Sequence, residues 1–213
     1  VGAVATKTFV DDVFSTFLYT GTGANPQSIN NGIDMSEGGL VWVKSRASRS
    51  HDLYDTVRGT NSVISSDSVG GASTVGQYIN YLNNGFSLTS QNNAQYSGEN
   101  YCSWTFRKAK GFFDVVTWDG DGSSSNRNIA HNLGSIPGMI IMKAYTHPSG
   151  VGNTDWQIYH RGLNGGVNPE QYALMFSTGA EGDRDWFGDT APTATQFTIG
   201  SGQDRNGTGG KYV

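Results

Sequence analysis

A chain of 213 residues with 36% hydrophobic residues, only 15% charged residues and 30 glycines holds material for one large domain or two of about 100 residues. Its glycine content points to many turns joining short strands. A net charge of −4 without any Lys/Arg run argues against nucleic acid as a partner, because phosphate binding needs clustered cations. The apolar stretches, such as residues 138–142, fall far below the roughly 20 residues a membrane helix requires, so no membrane insertion is expected. One cysteine, Cys102, excludes an intrachain disulfide and a multi-cysteine zinc site.

Residues 1–12 read as an N-terminal extension. Beyond them, short β-branched and aromatic runs are separated by Gly, Asn, Ser and Asp clusters, and 14–20, 39–46, 52–57, 85–89 and 100–107 are predicted strands. Segment 13–19 could be laid on a helix, but its Thr and aromatic content favours a strand. Cys102 lies in the run Tyr101-Cys102-Ser103-Trp104-Thr105-Phe106 and is expected as a small buried residue facing away from the aromatics.

After residue 110 the series starts again. Tyr19-Thr20-Gly21-Thr22-Gly23 is matched by Trp118-Asp119-Gly120-Asp121-Gly122, Ile29 and Ile33 by Ile129 and Leu133, and Gly39-Leu40-Val41-Trp42-Val43-Lys44 by Gly138-Met139-Ile140-Ile141-Met142-Lys143. Later in each copy Phe86 is matched by Phe197 and Tyr101-Cys102 by Tyr212-Val213. The match also extends the strand assignment to 113–118, and the glycine-rich stretch 200–210 reads as a hairpin loop before a strand at Tyr212. An all-β fold follows: two tandem β-sandwich units of jelly-roll or lectin-like type, 13–110 and 111–213, related by an internal repeat. The first copy runs on into Ser103-Trp104-Thr105-Phe106 where the second reaches Val213. The second unit is therefore expected to be truncated at its last strand, within a longer polypeptide.

The motifs Leu18-Tyr19-Thr20-Gly21-Thr22-Gly23, Asn31-Gly32-Ile33-Asp34-Met35 and Trp104-Thr105-Phe106-Arg107-Lys108-Ala109, with the Gly39 to Lys44 run above, resemble a repeat module of virion proteins of tailed bacteriophages, notably cyanophages and other marine phages. His131-Asn132-Leu133-Gly134-Ser135-Ile136-Pro137 is similar to a His-x-Leu-Gly-x-x-Pro pattern of phage tail-fibre domains. The resemblance runs from about Val13 onward. It implies a virion structural component at the virion surface, a tail fibre or tail-associated module engaged in assembly and host-surface attachment. It also implies a homo-oligomer, a trimer by preference, in contact with other virion proteins. It carries over no catalytic residue.

Read for chemistry, the residues favour binding over turnover. Glu170, Glu181, Asp183, Asp185 and Asp189 supply acids, but glycoside hydrolysis needs two carboxyl groups about 5–9 Å apart in a cleft, and acidic loops are also what a solvated surface requires. Neither a Gly-x-Ser-x-Gly elbow in a strand-to-helix setting nor a phosphate-cradling Gly-x-x-x-x-Gly-Lys loop is present. No enzyme is expected. The alternative to a purely structural role is a carbohydrate-binding module of a bacterial or viral surface fibre, with a glycan-degrading enzyme as a third reading. For such a host-surface glycan, Trp186 with Arg184 and Asp189, together with Trp156 and Trp118, are the candidate ligand-binding residues, since an exposed ring can stack on a sugar beside polar donors. The long connections 62–84 and 164–193 are where specificity is sought, the second unit above all. Asp119, Asp121 and Asn126 offer closely spaced oxygens of the kind calcium loops use, or else a turn with solvated acids. No other cofactor is implied. His131-Asn132-Leu133-Gly134 reads as a turn pinned by the imidazole to a backbone carbonyl, and His51, His147 and His160 lack ligand spacing.

Overall fold

In a computed structural model, residues 8–89 and 93–213 are described. Most of the predicted N-terminal extension, residues 1–7, lies outside them, and Val10–Val13 forms a single helical turn. The chain is all-β, built from short strands in several antiparallel sheets. Its first half contributes β1 (Phe14–Thr20), β2 (Gln27–Asn30), β3 (Gly39–Ser45), β4 (His51–Asp55), β5 (Ile64–Ser65), β6 (Ile79–Leu82), β7 (Gly85–Leu88) and β8 (Asn100–Arg107). Five of these form a sheet in the order β1-β8-β3-β4-β5, and three form another, β2-β7-β6.

Period-two alternation builds the core between these two sheets. Val41, Val43, Tyr54 and Tyr101 turn inward from the five-stranded sheet and meet Ile29, Ile79, Phe86 and Leu88 from the three-stranded one. Cys102 corrects the expectation drawn for it. Positions 102, 104 and 106 share one parity, so it stands half-buried on the outer side with Trp104 and Phe106, while Tyr101, Ser103 and Thr105 are buried.

The second half contributes β9 (Trp118–Asp119), β10 (Arg127–Ala130), β11 (Met139–Met142), β12 (Ala144–Thr146), β13 (Gln157–His160), β14 (Tyr172–Ala173), β15 (Gly182–Asp183), β16 (Gln196–Ile199) and β17 (Lys211–Tyr212). Residues matched in sequence pair with matched partners. Ile29 faces Phe86 as Ile129 faces Phe197, and Tyr19 faces Tyr101 as Trp118 faces Tyr212. A second core cluster gathers Trp118, Ile129, Met142, Phe197 and Tyr212. Two strand expectations change here. Segment 113–117 lies outside any strand, and β9 starts only at Trp118. Residues 200–210 are not a hairpin, because β16 pairs with β10 while β17 pairs with β12 and β9; the connection instead carries a helical turn at Gln203–Asn206.

A third apolar cluster joins the halves. Leu53, Ile64 and Trp156 are buried together, with Trp42, Ile141 and Tyr145 packed around them. Phe176 closes on both Trp42 (5.8 Å between ring centroids) and Trp156 (5.3 Å). Backbone bonds cross the seam as well, from Ala72 N to Tyr145 O and from Thr154 N to Val69 O. Lys143 is buried there, and its ammonium donates to the carbonyls of Val69 (2.8 Å) and Thr154.

Burial pushes the Lys143 ammonium down to about 8 from its ordinary 10.5. Between those values the unfolded chain binds more protons than the folded one, so this group makes stability rise as pH increases from about 8 to 10.5 and adds no slope below 8. Urea unfolding of wild type and Lys143→Met across pH 7–10.5 tests this. The rise in wild-type stability relative to the variant over that window is the expected outcome, and parallel pH curves would rule it out.

Candidate functional site

Strand β4 carries a carboxylate where its alternation calls for an apolar side chain. Asp52 shares the inward face with Tyr54 and is buried. Such a group persists only if its lone pairs are matched: Ser65 Oγ donates to Oδ1 (2.8 Å) and the Tyr54 hydroxyl to Oδ2 (3.2 Å). Burial nonetheless holds the carboxyl above the usual range, with the two hydroxyl bonds working against that rise.

Asp52 forms part of the lining of a cavity of about 300 Å³ beneath the connection 62–78. Ser65, Ser73, Tyr78, Asn93 and Tyr96 line it too. The hydroxyls of Ser73 and Tyr78 are joined at 2.8 Å. Tyr96 is held on one side by Arg49, whose guanidinium lies 3.8 Å from the ring centroid and forks onto Glu99 at 2.8–3.2 Å. The Tyr96 main-chain N–H donates to the Tyr101 hydroxyl at 3.0 Å. One wall is therefore a braced aromatic ring and the rest is hydroxyl, amide and carboxylate. That set matches a polyhydroxylated ligand, whose hydroxyls both donate and accept while its C–H faces lie on rings. It offers one carboxylate, where acid–base hydrolysis of a glycoside uses two.

The residues singled out from sequence are placed elsewhere. Trp118 is buried in the second core, and its indole N–H donates to Arg205 O at 2.9 Å. Trp156 is buried in the seam, with its N–H 3.2 Å from both Ser65 O and Ser68 O. Neither ring offers a face for stacking, because tertiary packing covers positions whose sequence neighbours are polar. Trp186 is half-buried, and two guanidinium groups lie over it, Arg184 at 4.7 Å and Arg205 at 6.0 Å from its centroid. Asp189 is exposed in a left-handed turn (φ 47°). The structure does bring the acidic turn against this loop, since Asn126 Nδ2 donates to Gly188 O at 3.0 Å.

The acids of the turn at Asp119 and Asp121 are engaged by groups of the chain itself. Asp119 takes the Lys211 ammonium at 2.8 Å. Asp121 accepts from Ser123 N at 2.8 Å and Asn206 Nδ2 at 2.7 Å and lies 3.6 Å from Arg127. These bonds hold the Asp121 carboxyl below its usual range. The oxygens face separate cations and donors instead of a shared centre, and no group of three or more His, Cys, Asp or Glu side chains among the described residues could hold a metal ion. The His131 turn also differs in detail: Nδ1 accepts from Leu133 N at 3.2 Å rather than donating to a carbonyl.

Asp52 and its cavity lie apart from the tryptophans that the sequence marks as candidates. Their signals in the sequence are an acid at an inward strand position and the Ser- and Gly-rich connection 62–84. A family model described as a domain of unknown function, DUF7483, matches residues 10–213. The chain belongs to that family. No curated protein and no solved structure was found to match it.

Proposed function

We propose that this member of the DUF7483 family is a non-catalytic virion surface module, part of a tail fibre or tail-associated structure, that holds a host-surface glycan in the Asp52 cavity. The observation that carries the binding role is the cavity itself: a buried carboxylate, hydroxyls and an amide facing a tyrosine braced by Arg49. The virion setting rests on resemblance: residues 18–23 and 39–44 are similar to a repeat module of virion proteins, and residues 131–137 to a tail-fibre pattern. In this reading the chain is two tandem β-sandwich units, 13–110 and 111–213, supported by the matched pairings of their strands.

Titration calorimetry with a host-envelope polysaccharide tests the binding role. Tyr96→Ala removes the braced ring and Asp52→Asn removes the charge while keeping the shape. Each is expected to weaken binding about tenfold or more, the loss of about 1.4 kcal/mol that one stacked ring or charged hydrogen bond supplies. A wild-type chain that binds no such polysaccharide, or variants that bind as it does, would end this reading.

Assembly belongs to the same proposal. Leu18 (66% exposed) and Ile136 (65%) stand in solvent with the half-exposed ring of Phe112, and burying such groups between copies favours association. Light scattering after size exclusion is expected to give three times the chain mass at micromolar concentration. A monomer there would count against the trimer.

A further inference from the structure

Two carboxylates are buried on β4, and they are neutralised in different ways. Asp55 is closed by the Arg58 guanidinium at 2.5 Å. Asp52 has the hydroxyls of Ser65 and Tyr54, and no Lys, Arg or His side chain among the described residues forms an ion pair with it. Neutral hydroxyls satisfy lone pairs without supplying a counter-charge, so a buried carboxylate left with them alone stays costly to ionise. Burial, with the nearby Asp67 carboxylate adding to it, holds this carboxyl above its usual range. The missing charge falls where the fold is open, since Asp52 lines the cavity and Asp55 does not.

The neighbouring cations are engaged elsewhere. Lys44 and His51 face each other across β3 and β4, and alternation puts both side chains on the opposite face of the sheet from Asp52. There Lys44 Nζ meets His51 Nε2 at 2.7 Å. Arg49, behind the aromatic wall, is matched by its fork onto Glu99 at 2.8–3.2 Å. What the cavity presents beside Asp52 is acceptor-rich. Ser65 Oγ has given its proton to the carboxylate, and the Ser73 and Tyr78 hydroxyls share one proton between them. An ammonium carries three donors and no acceptor, the complement of such a set. Val63 is the one aliphatic side chain of the lining among the described residues, so the walls suit an amine on a hydroxylated ring better than the apolar stem of a lysine. A single carboxylate likewise falls short of the oxygen cage a divalent cation takes. The volume of about 300 Å³ is at the lower end for small-molecule sites.

We propose that the occupant is an amino sugar with a free amine, a de-N-acetylated hexosamine unit whose ammonium pairs with Asp52 while its hydroxyls meet Ser73, Tyr78 and Asn93 and its C–H face lies on Tyr96. This identity rests on the glycan reading of the same cavity and adds the charge that the ligand carries. The ligand supplies to Asp52 what Arg58 supplies to Asp55.

Titration calorimetry of the full chain tests it with a tetramer of glucosamine, its fully N-acetylated counterpart and the glucose tetramer of the same linkage, in mildly acidic buffer that keeps the sugar amine protonated. The glucosamine tetramer is expected to bind about tenfold or more tightly than either neutral one, the margin of a charge-assisted over a neutral hydrogen bond. Asp52→Asn keeps the shape and is expected to erase that margin. Asp183→Asn, at an exposed acid of β15, should preserve it, which separates pairing at Asp52 from the general attraction of a cation to a chain of net charge −4. Equal affinity of the wild type for the three tetramers would overturn the free amine and leave the glycan reading standing. Loss of the margin in both variants, or its survival in Asp52→Asn, would also overturn it, as would a lysine amide that binds as tightly as the glucosamine tetramer. Binding of none of the three ends this inference, and the host-envelope polysaccharide alone then decides the glycan reading.

Discussion

Arg58→Ala is expected to lower the free energy of unfolding by about 3–5 kcal/mol, the cost of leaving one partner of a buried ion pair alone. The Arg58 guanidinium and the Asp55 carboxylate are both almost fully buried, with Nε 2.5 Å from Oδ2. Each is saturated by further bonds. Arg58 donates to Ser62 Oγ at 3.1 Å and to Leu53 O at 3.0 Å, while Asp55 Oδ1 accepts from the main-chain N–H groups of Val57 and Arg58. The guanidinium thus fastens the end of β4 to the connection that leads to the cavity, and removing it strips three acceptors at once. A loss of that size is a large share of the 5–15 kcal/mol that domains possess. Urea unfolding measures it. Asp55→Ala should lose a similar amount, and the double variant should lose less than the sum, because the two side chains mainly compensate each other's desolvation. A loss below about 1 kcal/mol for Arg58→Ala, the range of exposed pairs, would show that the pair is open to solvent.

The strand content was readable from local chemistry, and β1 and β8 fall on the predicted spans because aromatic and β-branched runs end there at turn residues. Matched positions of the repeat also carry pairing information, as Tyr19 with Tyr101 and Trp118 with Tyr212 illustrate. What a residue faces across the molecule was not readable. Lys44 and Lys143 occupy the same repeat position, yet one is exposed beside His51 (2.7 Å) and the other is buried in the seam. Trp156 follows the polar Thr154 and Asp155 and reads as a candidate for stacking on a sugar, whereas the arrival of residues 65–72 buries it. Asp52 shows the reverse case, since its cavity is made by a connection folding back over a strand end. Local pattern reports a residue's face of the sheet; the occupant of that face is set by long-range packing.

Trp156→Ala tests how far that packing unites the chain, and its expected cost is about 3–5 kcal/mol, the usual range for truncating a buried aromatic. The ring packs with Leu53 and Ile64 from the first half and lies 5.3 Å from Phe176 of the second. Its truncation also leaves Ser65 O and Ser68 O without the indole donor. The Lys143 ammonium, 5.9 Å from the ring centroid, loses a favourable neighbour. Because Val69, Ala72, Tyr145 and Thr154 are bonded across the same seam, the damage should concentrate there and leave the two flanking cores intact. Calorimetry is expected to show a lower melting temperature together with a broader or divided transition, as the halves lose their coupling while each keeps its own buried cluster. Amide exchange should place the new openings at residues 69–72 and 143–154. Wild-type melting behaviour in Trp156→Ala would mean that the seam contributes little. The cavity would then draw its rigidity from the first half alone, since its walls at Ser65 and Ser68 are the two residues that Trp156 anchors.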